Sequence, residues 1–244
     1  MATVTLDRPE RRNAQTPAMW RALAGVPARL PAKVRVVVLR AEGPSFSAGL
    51  DRAVLEGRAT DGGESLLDVA ALPPAELDAA IAGFQRAFTW WQDGPAVTVA
   101  AVGGHAVGAG FQLALACDLR VCADDAHFAM RETSLGLVPD LAGTAPLVAA
   151  VGYSRALEIC ATGRWVRAEE ARELGLATAV VPRAELDAAT ADLVAALLAA
   201  PAGALLATKA LLRGAATRTA EQQRAHERAT QAGRLAELLA AGRG

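Results

Sequence analysis

Two short segments carry residue types that could handle an anion: Gly43-Pro44-Ser45-Phe46-Ser47-Ala48-Gly49-Leu50-Asp51 and Gly103-Gly104-His105-Ala106-Val107-Gly108-Ala109-Gly110-Phe111-Gln112. Small residues let a backbone approach a ligand closely, and N–H groups in such a turn can point at an anion instead of a ladder partner. The second segment runs into an apolar helix, 111–117, so its free N–H groups lie at the positive end of a helix dipole, where an oxyanion is stabilised. One such turn alone is more simply an ordinary strand-to-helix connection; two together favour a binding surface. Gly108-Ala109-Gly110 also partly fits a dinucleotide fingerprint. However, the third glycine position holds Leu113, and no acidic residue ends a strand about 20 residues on, since Asp124 and Asp125 come too soon.

The other reactive side chains form no pattern. His105, His127 and His226 have no partner at metal-ligand spacing, so no metal site is expected. His105 reads as a packing or polar residue of the glycine turn, and the other two as surface or rim residues. Cys117, Cys122 and Cys160 are odd in number and lie in apolar surroundings, which favours free thiols over a disulfide framework.

The elements that must position the turns come next. Val34-Arg35-Val36-Val37-Val38-Leu39 and Ala96-Val97-Thr98-Val99-Ala100-Ala101-Val102 are β-branched runs, each followed by a glycine-bearing turn, and read as buried strands. Between them, 72–93 opens on Pro-Pro and places apolar residues at 77, 81, 84, 88 and 91, the spacing of an amphipathic helix. The segment 50–71, with Gly57, Asp61, Gly62 and Gly63, reads as a loop or short irregular helices over a ligand. Beyond Ala142 the pattern turns helical, with alanine-rich segments at 144–151, 154–162, 168–174, 184–199, 203–213 and 219–241 broken by glycines and prolines. The last four residues are expected to fray.

Composition excludes several function classes. The chain of 244 residues is 52% hydrophobic, ample for a substantial core, and Lys+Arg 25 against Asp+Glu 26 leaves a net charge of −1. With neither a basic excess nor an acidic block, nucleic acid is not the expected partner; a small molecule is. The N-terminus lacks the apolar stretch of about 7–15 residues that a secretory signal requires, so a cytoplasmic location is expected. No apolar run approaches the roughly 18 residues of a membrane span, so no membrane association is expected.

A family resemblance then becomes specific. Leu6-Asp7-Arg8-Pro9-Glu10-Arg11-Arg12-Asn13-Ala14, Phe46-Ser47-Ala48-Gly49-Leu50-Asp51, Gly104 through Gln112, Glu132-Thr133-Ser134-Leu135-Gly136-Leu137-Val138-Pro139 and Ala168-Glu169-Glu170-Ala171-Arg172-Glu173-Leu174-Gly175-Leu176 resemble, in order and spacing, the crotonase superfamily of enoyl-CoA hydratases and isomerases. The resemblance runs to about Arg213 and puts Met1 inside the family's first strand. It implies an α/β fold: a spiral core of ββα units over 1–190 and a helical C-terminal region over 191–244, the two forming one functional unit. It further implies packing of that region at subunit contacts of trimers or paired trimers.

The resemblance also implies site roles. An acyl-CoA thioester, the substrate with no other cofactor, would place its carbonyl oxygen between the backbone N–H groups of Leu50 and Ala109, donors worth about 3–4 kcal/mol each in comparable sites. Adenine would lie near Ala48 and Asp51. Arg8 and Arg52 are either phosphate partners or solvated surface arginines. The family's hydratases use two glutamates, at positions matching 112 and 132. Here Glu132 is present, but Gln112 can orient a water without taking or giving a proton near neutral pH. Loss of such a group costs about 10²–10⁴ in rate, so isomerisation is expected in preference to hydration. A weak hydratase and a non-catalytic acyl-CoA binder are the alternatives. Asp140, eight residues on, matches an aspartate of dienoyl-CoA isomerases, ring-epoxide isomerases and 4-chlorobenzoyl-CoA dehalogenases; its other reading is the N-cap of a helix starting near Ala142. For Glu132 the other reading is a pairing with Arg131 or Arg155. A dehalogenase would also need a histidine and a tryptophan in the pocket, for which His105 and Trp90 or Trp91 are available.

Overall fold

In the computed structural model, which describes residues 1–58 and 63–241, the β-branched runs become parallel strands. Eight strands are found among the described residues: β1 (Ala2–Leu6), β2 (Val36–Ala41), β3 (Val97–Val102), β4 (His105–Val107), β5 (Leu119–Ala123), β6 (His127–Ala129), β7 (Val166–Arg167) and β8 (Ala179–Val181). β1, β2, β3, β5 and β8 lie side by side in that order, every pair parallel. Side chains alternate across this sheet. Val37, Leu39, Ala100, Val102 and Cys122 face one core with Phe46, Phe88, Trp91, Phe111 and Phe128. Val36, Val38, Val99, Ala101, Val121 and Ala123 face a second core with Leu186 and Val194. Burial on both faces is why these strands read as continuous apolar runs rather than as alternation.

In the second sheet β6 is central, parallel to β4 and antiparallel to β7. Single bridges pairing Ser47 with Ala106 and Gln15 with Leu50 extend the same layer back along the chain, so successive turns of a spiral contribute to both layers. The helices that complete the turns are α1 (Pro17–Ala24), α2 (Arg52–Leu55), α3 (Leu66–Ala70), α4 (Pro74–Asp93) and α5 (Ala109–Ala116). They are followed by α6 (Thr144–Val151), α7 (Tyr153–Thr162), α8 (Ala168–Glu173), α9 (Leu186–Ala199), α10 (Ala202–Ala215) and α11 (Ala220–Ala241).

The structure departs from the sequence expectations in two places. First, β7 and β8 interrupt the supposedly all-helical second half; at two and three residues they are too short to show a period. Second, the division expected at 190/191 falls inside α9, which covers β2, β3 and β5 without a break. In the segment read as a loop or short irregular helices, the second alternative holds for α2, capped by Asp51, and for α3, where Ser65 and Asp68 form a capping box. Asp61 and Gly62 of that segment, and the fraying expected for Gly242, Arg243 and Gly244, lie outside the described residues. The three cysteines are free; Cys117 and Cys122 are buried, and burial pushes the Cys122 thiol up to about 12.

Ion pairs fasten α10 to the core, Arg213 with Asp93 at the surface and Lys209 with Asp118 further in. Lys209 of α10, 9% exposed, donates to Asp118 Oδ2 at 2.8 Å, to Ala96 O at 2.6 Å and to Trp91 O at 3.1 Å. Asp118 Oδ2 also accepts from Thr98 N at 2.7 Å. Lys209→Met leaves the aspartate without its counter-charge. It is expected to lower unfolding free energy by roughly 2–3 kcal/mol, less than for a fully buried pair because Asp118 keeps some solvent. Urea titration checks this, and Asp118→Asn added to Lys209→Met should recover part of the loss; additive losses would contradict the pairing.

Candidate active site

The two glycine turns lie against each other. At Gly49 (φ +86°) a Cβ would meet Val107 O at 2.5 Å and come within 3.7 Å of Ala109 N; at Gly110 it would meet Ser47 O at 2.6 Å. Only a residue without a side chain allows this approach. In the bridge between Gln15 and Leu50, Gln15 N donates to Gly49 O and Asp51 N donates to Gln15 O, so the N–H of Leu50 itself faces away. Ala109 opens α5, where first-turn N–H groups lack helical partners. Among the described residues neither Leu50 N nor Ala109 N has a protein acceptor. These turns are braced from below by buried polar residues that the sequence reading assigned no role. Asn13 Nδ2 donates to Glu42 O and Ser45 O, and Gln15 Nε2 donates to Ser47 Oγ.

Beside Ala109 stands a carboxylate. Gly108 adopts φ +50°, and a Cβ there would meet Glu132 Oε1 at 3.2 Å. Glu132 begins a 3-10 turn, Glu132–Leu135, just beyond β6. Gln112, fully buried on α5, donates from Nε2 to Glu132 Oε1 at 2.7 Å. Its Oε1 accepts from Leu141 N at 2.9 Å and Gly143 N at 3.2 Å. Backbone N–H groups can only donate, so this pair fixes which end of the amide is oxygen and aims the NH2 at Glu132. Ala142 between them is left-handed, φ +62°, which turns the flanking N–H groups into a nest around one acceptor. Glu132 Oε2 is buried and unpartnered. Burial raises the proton affinity of Glu132 above the ordinary carboxylate range. Its own backbone N–H and the Gln112 bond oppose that rise, and nearby Asp140 adds to it.

Asp140 is solvent-exposed at the rim of this arrangement, yet surrounding protein raises its carboxyl above the usual range. The capping alternative for it is corrected: Gly143 is the N-cap of α6, with no side-chain capping bond. The ion-pair alternative for Glu132 falls as well, because Arg155 pairs with Glu158 at 3.2 Å and the Arg131 guanidinium lies 5.2 Å over the Trp165 ring.

The residues expected near the nucleotide separate into two kinds. Ala48 and Arg52 are exposed, and Arg52 has no ion pair among the described residues. Asp51 is buried; one carboxylate oxygen caps α2 through Ala53 N at 3.0 Å and the other lies 3.3 Å from Arg8 Nη1. The side chains of Asp51 and Arg8 are thus engaged with each other across 43 positions of the chain, a pairing that no local pattern announces. His105 packs on His127 and Trp165, and Trp90 stacks on Trp91. Gln85 of α4, also missed, donates to Asp140 O at 2.7 Å.

Residues 1–237 match the model of the enoyl-CoA hydratase/isomerase family. The crystal structure of a candidate enoyl-CoA hydratase from Thermobifida fusca YX superposes with a TM-score of 0.93 at 49% identity, covering 98% of this chain and 90% of that one. A structure from the same organism in complex with acetoacetyl-CoA gives 0.91 at 49% identity, covering 96% and 91%. The mitochondrial Delta(3,5)-Delta(2,4)-dienoyl-CoA isomerase of Rattus norvegicus is 34% identical over 183 residues, 73% of this chain and 55% of its own length.

Proposed function

The chain belongs to the enoyl-CoA hydratase/isomerase family, and on that premise we propose that it moves double bonds within an acyl-CoA thioester in preference to adding water across them. The observation that carries this reading is the direct bond from Gln112 Nε2 to Glu132 Oε1, 2.7 Å long. Hydration needs a water held between two proton-active groups. Here one group is an amide inert to proton transfer near neutral pH, and its NH2 donates directly to the other group instead of to a water.

Isomerisation needs one base and one oxyanion site. The thioester oxygen lies between the N–H groups of Leu50 and Ala109. Glu132 Oε2 takes a proton from carbon, the electron pair moves onto the thioester oxygen as an enolate, and the same proton returns at the far end of the conjugated system. The acid is then a carboxylate again and the substrate has neither gained nor lost atoms. A carboxyl whose proton affinity is raised by burial is better suited to returning the proton than an ordinary surface glutamate. Asp140, at the rim, extends the transfer to a longer conjugated chain. The acetoacetyl-CoA complex of the Thermobifida fusca neighbour supports a CoA thioester as the ligand class. Exposed Leu212, Leu235, Leu238 and Leu239 on α10 and α11 support a homo-oligomer, a trimer or a pair of trimers, in which these helices meet.

The test is a panel of 2-enoyl-, 3-enoyl- and 3,5-dienoyl-CoA followed by mass spectrometry. The expected products keep the substrate mass; a main product heavier by one water would make the protein a hydratase. Binding without turnover, and without deuterium exchange at the α carbon, would make it a carrier. Asp140→Asn is expected to slow the dienoyl substrate by about 10²-fold and the monoenoyl substrate far less. Its melting temperature at neutral pH should not fall, because Asp140 caps nothing and burial already disfavours its charge.

A further inference from the structure

Four hydrogen-bonding groups form one continuous line across the molecule. Gln85 Nε2, on α4, donates to Asp140 O at 2.7 Å. The N–H of that same peptide group belongs to Leu141 and donates to Gln112 Oε1 at 2.9 Å. Gln112 Nε2 then donates to Glu132 Oε1 at 2.7 Å. Every donor points the same way, from α4 toward Glu132.

Two physical consequences follow. A peptide group is planar, so gripping its oxygen at one end and its N–H at the other fixes the plane's orientation. The plane lies one peptide before the left-handed Ala142, in the loop that brings both Leu141 N–H and Gly143 N–H onto Gln112 Oε1. A turned peptide would withdraw Leu141 N–H from Gln112, leaving its amide oxygen to the longer bond from Gly143 N–H and loosening the amide that now faces Glu132. Aligned amides also polarise one another, each bond strengthening the next by about 10–30%.

We infer that Gln85 is a positioning residue for Glu132, acting through the Asp140–Leu141 peptide group and the side-chain amide of Gln112. The inference rests on the reading of Glu132 as the base. Other groups facing Glu132 are the Asp140 carboxylate on the adjoining loop and the Cys160 thiol of α7, with Arg131 next in the chain but turned to Trp165. Of these, replacing Gln85 can disturb only Asp140, so the measurement is made in both the native and the Asp140→Asn background.

Gln85 is only partly buried, so Gln85→Leu, which has no donor, and Gln85→Lys, which keeps one, should both fold. For Gln85→Leu the expected result is a fall in kcat of about fivefold, the worth of one hydrogen bond, with KM unchanged and the acidic limb of the rate profile moved to higher pH. Gln85→Lys should restore both. A second readout does not depend on turnover: the 13C carboxyl resonance of Glu132, assigned by its loss in Glu132→Gln, should titrate at higher pH in Gln85→Leu in either background. An unmoved resonance, an equal shift in Gln85→Lys, or a shift that vanishes with Asp140→Asn would overturn the inference. If the resonance moves but no ester is turned over, the positioning stands and the isomerase reading falls.

Discussion

Glu132→Gln is expected to lower turnover of an enoyl-CoA by about 10²–10⁴ or more while leaving the Kd for the CoA ester within about twofold. Glutamine has nearly the same shape and can still accept from Gln112 Nε2, so the packing over Gly108 survives and only the capacity to carry a proton is lost. Single-turnover kinetics with calorimetric binding separates the two effects. A parallel loss of binding would show that Glu132 holds substrate instead of reacting with it. The variant should also be at least as stable as the native protein at neutral pH. Because burial raises the proton affinity of Glu132 in the folded chain, its contribution to stability is full below the unfolded carboxylate range and is lost as pH rises through the folded value. Above that window the ionised carboxylate opposes folding and a glutamine does not. A lower melting temperature at pH 7 for Glu132→Gln would contradict this assignment of the charge.

Gln112→Glu should open the reaction that the native site disfavours, raising hydration of crotonyl-CoA by about 10²-fold or more. The Leu141 and Gly143 N–H groups that now hold an amide oxygen would hold one carboxylate oxygen equally well. The other oxygen would face Glu132 at the distance where Nε2 now lies. Two carboxylates so close cannot both ionise without cost, so the pair retains a proton, the one that hydration must deliver to carbon. Loss of the conjugated enoyl absorbance gives the rate. A native protein that already hydrates as fast as the variant would mean another residue fills the missing role, and the bond between Gln112 and Glu132 would then carry no argument about reaction type.

Much of the architecture is readable from neighbouring residues. Runs such as Val36-Val37-Val38-Leu39 declare strands buried on both faces, and the 3.6-residue spacing of Leu77, Ile81, Phe84, Phe88 and Trp91 declares α4, because burial writes its period directly into contiguous sequence. The glycines at 49, 108 and 110 are equally local signs, since close approach or a positive φ excludes side chains wherever it occurs. Strands of two or three residues carry too few positions for a period, so β7 and β8 emerge only in three dimensions. The partners of polar groups are beyond local reading altogether. Nothing within a few residues of Asp51 distinguishes a carboxylate turned inward to α2 and Arg8 from one offered to a ligand, and nothing near Asp140 tells that the cap of α6 is Gly143.

The sequence by itself thus determined the buried strands, the amphipathic α4 and the two small-residue turns, which are properties of short windows; the spiral α/β class and the amide in place of a carboxylate at 112 came through the resemblance of its motifs to the crotonase superfamily. Only the tertiary structure decided what that amide does. Gln85, Gln112, Glu132 and Asp140 stand on four different elements, and successive turns of the spiral close them into one hydrogen-bonded line. A hydrogen bond is decided by tenths of an ångström and by direction, whereas a sequence pattern specifies only which face of an element is buried.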